Sequence, residues 1–500
     1  MTTLELSRRT FIKASVMGLA GLTLGCRPGT AHADESAVPA AADVNIWINI
    51  APDSQITIVV VKAEMGQGVA TALPMIVAEE LEADWQDIRV VLKGELDDYA
   101  VSGMPVTAGS MSIISSYTIM RQVGALGREM LMTAAARRWG VDPGSVTAAK
   151  SRVTHPDFGS LSYGELAEEA SLLPVPENPV LKDPADFTLI GSSLERLDTP
   201  EHLTGASVFG IDAVVPGMRY AAVRQAPVFG GEVANFDALS LDHTSAEAIV
   251  AIPNGIAVVA AGWWEAERAA AGLDIEFNNP PGAETMGSAE VSSQLAQDLK
   301  RPGTRMLRRG FARSALKRAA VSAQATYEVP YLAHACLEPM TCTAQVTATS
   351  CEIWVSTQGA AVVRQVARAV TGLDSAAIAV HTTYVGGGFG RKAEGDYVEH
   401  AILASQAVGK PVKVIWSRQE DIQHDRYRPA CAISFAGGID ADGKISSLVI
   451  KSAGSAIFKF FYRTFSAAAG FADMFYDIPN GSARNVISEK LNVPVGTWRS

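Results

Sequence analysis

Five cysteines in 500 residues, none in a Cys-x-x-Cys pair, exclude a disulfide framework, a zinc ribbon and a self-contained iron–sulfur site. Any iron–sulfur centre serving this chain must sit on another polypeptide. Charge is scarce at 19% and aromatics at 7%, but hydrophobic residues reach 48%, which excludes the low-hydrophobicity signature of disorder. No basic run could neutralise several phosphates at once, and 42 Lys+Arg against 53 Asp+Glu give a net charge of −11, so nucleic acid is not an expected partner. No short-period repeat is present, and the length suits two to four domains of roughly 100–200 residues each.

The first 33 residues read as an address. Ser7-Arg8-Arg9-Thr10-Phe11-Ile12-Lys13 precedes an uncharged stretch from Ala14 to Gly25, and Ala31-His32-Ala33 follows as a small-x-small cleavage pattern. The paired arginines indicate a twin-arginine export signal, and the twelve-residue apolar stretch is too short to span a bilayer. Leu24-Gly25-Cys26 leaves lipoprotein processing open as an alternative to signal peptidase. Removing residues 1–33 takes away four basic residues and one acidic, leaving −14. A periplasmic location follows as an expectation, with any membrane association made through a partner.

Val44 to Ile50 and Gln55 to Val61 alternate about Pro52-Asp53-Ser54 as a two-stranded hairpin. Ala70 to Leu81 has a helical pattern, Ile88 to Leu92 that of a buried strand, and Ser112 to Trp139 that of a long helix. Pro174, Pro176, Pro179 and Pro184 mark a linker. From Leu197 to Asn278 short strands are expected, among them Val208 to Asp212 and Val214 to Met218. Basic residues cluster from Lys300 to Lys317. Strands near Ala323 to Tyr327, Cys351 to Val355, Ala377 to Val385 and Val412 to Trp416 then alternate with helices at Ala361 to Thr371 and Tyr397 to Ala407. The fold class is α+β.

Three strand-end blocks carry the chemistry. Val385-Gly386-Gly387-Gly388-Phe389-Gly390-Arg391-Lys392 places bare backbone where an anionic or oxo-bearing ligand can approach, and it fits neither a Walker A loop nor GxGxxG. A nucleotide-dependent oxidoreductase is disfavoured accordingly. Glu64-Met65-Gly66-Gln67-Gly68 opens a helix and suits an anion at its N-terminus. Gln358, in Trp354-Val355-Ser356-Thr357-Gln358-Gly359, puts a side-chain amide just past a third strand.

In this combination the blocks resemble the molybdopterin-binding large subunit of the xanthine oxidase and aldehyde oxidoreductase family. They are closest to its isoquinoline 1-oxidoreductase beta subunit and membrane-associated aldehyde dehydrogenase branch. His334-Ala335-Cys336-Leu337-Glu338-Pro339, Trp416 to Asp421 and Tyr476 to Asn480 add to the resemblance, which covers most of residues 44–500. It implies molybdopterin-binding domains of xanthine oxidase type with an inserted α/β hammerhead domain. The expected layout is a signal over 1–33, a molybdopterin-binding subdomain over 44–172, a linker over 173–196, the hammerhead over 197–300 and a further molybdopterin-binding domain over 318–500.

The resemblance also implies site roles. Gln358 contacts the metal's oxo or sulfido ligand; Phe389 and Gly390 line the metal site, with Gly387 and Gly388 giving backbone contacts and Arg499 bordering it. Gly66, Gln67 and Gly68 bind the pterin and its phosphate, helped by Gly109, Ser110 and Ser112. No protein ligand to the metal is expected. The implied cofactor is molybdenum–molybdopterin in the cytosine dinucleotide form. The implied partners are a small chain with two [2Fe–2S] clusters, a cytochrome c acceptor and a small-molecule substrate.

The implied reaction is hydroxylation of an aldehyde or N-heteroaromatic carbon with water. The general-base glutamate of the family lies in a Gly-Val-Gly-Glu-like segment that is absent here, and neither Glu338 nor Glu394 matches it, so no catalytic residue is assigned. An incomplete C-terminus is expected, as a gene fragment or as half of a split subunit. A non-catalytic remnant or binding module of the same fold stands as the alternative. His334 reads as a packed strand histidine and Trp416 to Asp421 as a helix cap with salt bridges.

Overall fold

Alternation along Ile48 to Val60 buries Ile48, Ile50, Ile56 and Ile58 completely, and this apolar row founds the first of two units. The computed structural model describes residues 42–45, 47–93, 106–237, 245–283, 286–457 and 476–498. Unit 1 comprises the described residues of Met1–Pro216 with Thr341–Gly387 and Lys392–Ile402; unit 2 comprises those of Gly217–Met340, Gly388–Arg391 and Leu403–Ser500. Residues 1–33, Cys26 and Arg499 lie outside the described residues. Among the described residues no helix is long and apolar enough to cross a membrane.

Unit 1 opens with β1 (Ala42–Asn45), β2 (Ile48–Ile50), β3 (Ile56–Val60), α1 (Val69–Leu81) and β4 (Ile88–Leu92), and its sheet has the order β1-β2-β3-β4. The strand expected over Val44 to Ile50 is two, because β1 folds back to pair with β2. In β4 only Ile88 is buried; the strand lies at the sheet's edge, and Val91 is exposed. Helix α2 (Ser112–Trp139) crosses α1 at Gly124, where a Cβ would strike the Val77 carbonyl oxygen, so only glycine permits the approach.

A small meander, β5 (Thr147–Ala149), β6 (Arg152–His155) and β7 (Gly159–Ser162), leads into α3 (Tyr163–Ser171). A capping box starts α3: Ser162 Oγ accepts from Glu165 N at 3.3 Å, and Glu165 Oε2 accepts from Ser162 N at 2.7 Å. The expected linker wraps α1 through two buried carboxylates. Glu79 accepts from Lys182 Nζ and from the amides of Thr188, Leu189 and Ile190, while Glu80 takes Arg121 Nε at 2.6 Å and the amide of Lys182 at 3.0 Å. Helix α4 (Thr199–Thr204) follows. The strands expected over Val208 to Asp212 and Val214 to Met218 are instead irregular chain with one 3-10 turn, Gly210–Asp212, in which Asp212 accepts from the Phe209 amide.

Unit 2 begins with β8 (Arg219–Gln225), β9 (Glu232–Phe236), β10 (Ala246–Ile252), β11 (Gly255–Ala260), α5 (Trp263–Gly272) and β12 (Ile275–Asn278). Ala266, Ala269 and Ala270 of α5 pack on Ala222, Ile256, Val258 and Ala260, a small-residue face that lets the helix lie close to the sheet. Helix α6 (Ser288–Asp298), β13 (Thr304–Arg309), α7 (Ala312–Lys317) and β14 (Val321–Val329) follow.

The chain returns to unit 1 for β15 (Thr341–Val346), β16 (Cys351–Val355), α8 (Ala360–Thr371) and β17 (Ile378–Thr382), with β16 antiparallel to β15 and parallel to β17. After α9 (Asp396–Val408) come β18 (Val412–Ile415), α10 (Arg418–Gln423), β19 (Cys431–Ile439), β20 (Ile445–Gly454) and β21 (Gly481–Ile487). In unit 2, β18 runs parallel beside β8, and a five-stranded sheet has the order β13-β21-β20-β19-β14. Val291 and Leu295 of α6 cover Ala432, Ala453 and Val486 of that sheet. Ser417 caps α10 by accepting from Glu420 N at 3.2 Å, and Arg418 pairs with Asp421, as expected of that block.

Candidate functional site

In unit 1 the turn between β3 and α1 needs two glycines in left-handed backbone, Gly66 at φ 102° and Gly68 at φ 85°. Glu64 is almost wholly buried and closes the turn. Its Oε1 accepts from Gly66 N at 2.8 Å and Gly68 N at 3.0 Å, and its Oε2 accepts from Ala70 N at 2.8 Å. Gln67 folds back in the same way, Oε1 accepting from Met65 N and Nε2 donating to Ala63 O, both at 2.8 Å. The anion expected at this helix start is therefore the chain's own carboxylate. Gly66 contributes open space instead: a Cβ there would meet nothing within 4 Å.

Arg196 holds the turn from outside. Its guanidinium donates to Glu64 Oε1 at 3.3 Å and Gly66 O at 3.1 Å, and to both oxygens of Asp198 at 2.8 and 2.6 Å. The bond to Arg196 keeps the Asp198 carboxyl below its ordinary range despite burial. Asp198 also meets His202 Nε2 at 3.3 Å, and His202 Nδ1 meets Ser207 Oγ at 2.6 Å.

Further strand ends of unit 1 converge on this turn. The backbone N–H of Val385 donates to Glu64 O at 3.0 Å. Gln358 is buried; its amide N–H donates to Lys392 O at 2.9 Å, its carbonyl accepts from Thr107 N at 2.7 Å, and its Nε2 donates to Thr107 O at 2.8 Å. Thr107 Oγ1 accepts from Ala63 N at 3.0 Å. Lys392, completely buried, donates to Ser356 Oγ at 3.0 Å. Gly387 (φ 90°) follows Val385. Gly109 (φ 63°) and Ser110 (φ 55°) turn the chain into α2 at Ser112. That helix start has no side-chain cap and no acidic residue in its first turn, and the Ser115 and Ser116 hydroxyls are buried with no partner among the described residues.

Unit 2 carries the rest of the glycine loop. Phe389 is held at φ 53° and Gly390 at φ 109°, and a Cβ on Gly390 would run into the Thr497 carbonyl oxygen. Gly388 O accepts from Cys336 Sγ at 3.4 Å. Arg391 is buried, with Nε 2.9 Å from Asp425 Oδ1 and its guanidinium 5.4 Å from the centre of the Trp416 ring. His334 lies on irregular chain, not on the expected strand, and its backbone N–H donates to Asp425. Its Nδ1 is 2.9 Å from Asp425 Oδ2 and its Nε2 2.8 Å from Thr497 O, so both ring nitrogens face acceptors. Trp498 packs on it at 4.7 Å between ring centres, which places the segment just before Arg499.

Sequence reading missed Arg196, Lys392 and Asp425. Two adjacent cations in an apolar glycine loop were the available signal for Lys392; Asp425 stands 91 residues from His334 and had none. Burial first, then Glu352, pushes the Cys351 thiol up to about 11, and burial likewise raises the thiols of Cys342 and Cys431, which keeps these three protonated.

The donors gathered here suit a pterin and its phosphate. They are the Ser115 and Ser116 hydroxyls near the start of α2, which have no partner among the described residues, with open space at Gly66; the Gly66 and Gly68 amides are already taken by Glu64. No group of three or more His, Cys, Asp or Glu that could hold a metal ion occurs among the described residues.

Family models described as molybdopterin cofactor-binding domains match residues 6–209 and 297–499. The isoquinoline 1-oxidoreductase subunit beta of Brevundimonas diminuta is 29% identical over 89% of this chain and 64% of its own length. The membrane-bound aldehyde dehydrogenase of Gluconacetobacter polyoxogenes is 30% identical over 90% of this chain and 60% of its own length. The chain thus spans less than two thirds of the length of either relative. Among solved structures, quinoline 2-oxidoreductase from Pseudomonas putida 86 aligns at a TM-score of 0.48 and 20% identity, over 62% of this chain and 45% of that one. The chain belongs to the xanthine oxidase-type family of molybdopterin cofactor-binding proteins.

Proposed function

We propose that this chain is the molybdopterin-binding subunit of an exported oxidoreductase that hydroxylates an aldehyde or N-heteroaromatic carbon with water. The observation that carries the reading is the pair of molybdopterin-domain matches at the two ends of the chain, over the segments that hold the glycine turns. The relatives' names, an isoquinoline oxidoreductase and an aldehyde dehydrogenase, support the substrate classes. Electrons leave to a small [2Fe–2S] chain and on to a cytochrome c. The twin-arginine pattern at Arg8-Arg9 supports export to the periplasm.

When bound, the cofactor supplies the two-electron redox chemistry. The chain's own residues bind and orient it. In unit 1, Gly66, Gln67 and Gly68 would border it, with open space at Gly66, while their turn stays held by Glu64; Gly109, Ser110 and Ser112 would take its phosphate, and Gln358 and Gly387 would face its metal. Gly388, Phe389, Gly390 and Arg499 are the residues that the resemblance would set beside the metal. The cytosine dinucleotide form is part of the proposal.

The test is molybdenum per polypeptide, measured by elemental mass spectrometry on the protein isolated from its own host with whatever copurifies. Near-stoichiometric molybdenum is expected, and Gln358→Ala should lower both metal content and turnover. A folded chain with molybdenum at background overturns the reading.

A further inference from the structure

The basic cluster at Lys300 to Arg318 lies outside the residues assigned above to the cofactor. Lys300, Arg301, Arg305, Arg308, Arg309, Arg313, Lys317 and Arg318 are all exposed, and no acidic residue interrupts them. Arg301 pairs with Asp298 at 2.9 Å. The cluster continues across the sheet. Arg305 of β13 stands opposite Arg484 of β21, and Arg484 opposite Lys451 of β20, so three cations share one row on one face. Peptide carbonyls cap them in place of carboxylates: Arg484 Nη1 donates to Pro302 O and Gly303 O, and Lys451 Nζ to Arg301 O. Burial first, then Arg313 and Arg484, holds the Lys451 amine below its ordinary range. Like charges set side by side cost stability, and an anionic surface laid over them removes that cost.

The same segment runs through α7 directly into β14, whose nine residues are all exposed. β14 pairs with β19 along its whole length and forms the end of the sheet, with no strand on its outer side among the described residues. Its sequence, Val-Ser-Ala-Gln-Ala-Thr-Tyr-Glu-Val, holds no lysine or proline to blunt the edge, and Val321 and Tyr327 are each 62% exposed.

We propose that β14 and the cations that lead into it form a docking surface for an extended, acidic segment of another polypeptide, which adds a strand to β14 and sets its carboxylates against Lys317 and Arg318. A membrane surface cannot pair with the strand's peptide groups. A second copy of this chain, added edge to edge, would bring two basic segments together. The surface shares no residue with the cofactor site, so its test stands apart from the molybdenum measurement.

The test compares the complex isolated from the host with the same chain stripped of partners at high salt. Hydrogen–deuterium exchange at residues 321–329 should be at least tenfold slower in the complex, and a carbodiimide should join Lys300 or Lys317 to aspartates or glutamates of another polypeptide. The K317E/R318E variant, folded by circular dichroism, should retain less than a tenth of that polypeptide. Equal exchange at 321–329 in both samples overturns the proposal, as do cross-links joining two copies of this chain. Protection of the stripped chain by phosphatidylglycerol vesicles or single-stranded DNA, with none from a copurifying protein, overturns it too.

Discussion

Arg196 and Glu64 form an ion pair, Nη2 to Oε1 at 3.3 Å, around a carboxylate that also gathers the amides of Gly66, Gly68 and Ala70. One side chain thus fixes the glycine turn from within, and the other braces it from without. Glu64→Gln leaves one acceptor oxygen where the carboxylate offered two, and it removes the negative charge at the start of α1. The expected loss is about 1–3 kcal/mol of unfolding free energy, read from urea denaturation. Arg196→Lys keeps the charge but not the fork on Asp198, and should cost less stability while lowering molybdenum content. Equal stability of Glu64→Gln and the parent would show that the turn does not depend on the carboxylate.

Gly390 and Gly66 both adopt left-handed backbone, but only Gly390 is crowded. Gly390→Ala forces Cβ onto the Thr497 carbonyl, adding an overpacking cost of about 1–3 kcal/mol to the backbone strain. Gly66→Ala carries the strain alone. The expected order of melting temperatures is parent, Gly66→Ala, Gly390→Ala, by differential scanning calorimetry; the reverse order would mean that Thr497 yields.

The elements legible in the sequence were those whose period and punctuation agree. Ser112 to Trp139 and Cys351 to Val355 fall where expected, because long helical periodicity and β-branched alternation leave little choice. Val208 to Met218 misled because its apolar residues are interleaved with Gly210, Pro216 and Gly217, and its bonds go elsewhere: Val208 O accepts from Tyr384 N, 176 positions along the chain. The site divides in the same way. Glycines announce themselves through their backbone freedom, whereas Arg196, Lys392 and Asp425 meet Glu64, Ser356 and His334 only once folding brings them near.

Glu79 is fully buried on α1 and satisfied by Lys182 Nζ at 2.6 Å and the amides of Thr188, Leu189 and Ile190. Lys182→Met would strand that carboxylate and should destabilise unit 1 by about 3–5 kcal/mol. Limited proteolysis reads the consequence: the first new cleavage is expected within residues 173–196, the segment that the pair ties to α1. Cleavage elsewhere first would show that another contact holds it.

His424 links pH to the stability of unit 2. Burial pushes its pKa down, but the Glu420 carboxylate at 2.9 Å from Nδ1, with the Ala226 carbonyl at 3.0 Å from Nε2, outweighs burial and raises it above 6.5. The groups facing it are Glu420, which also accepts from Gln225 Nε2 at 3.1 Å, and the Phe229 ring at 6.3 Å. A raised folded-state pKa means that the folded state holds the proton more tightly than the unfolded chain does. Its stabilisation is therefore complete below pH 6.5 and fades as pH rises through the folded-state value. The melting-temperature difference between the parent and His424→Gln should be largest near pH 6 and shrink steadily toward pH 9. A difference that grows with pH would mean that the folded state carries the neutral imidazole, and that Glu420 is balanced by some other cation.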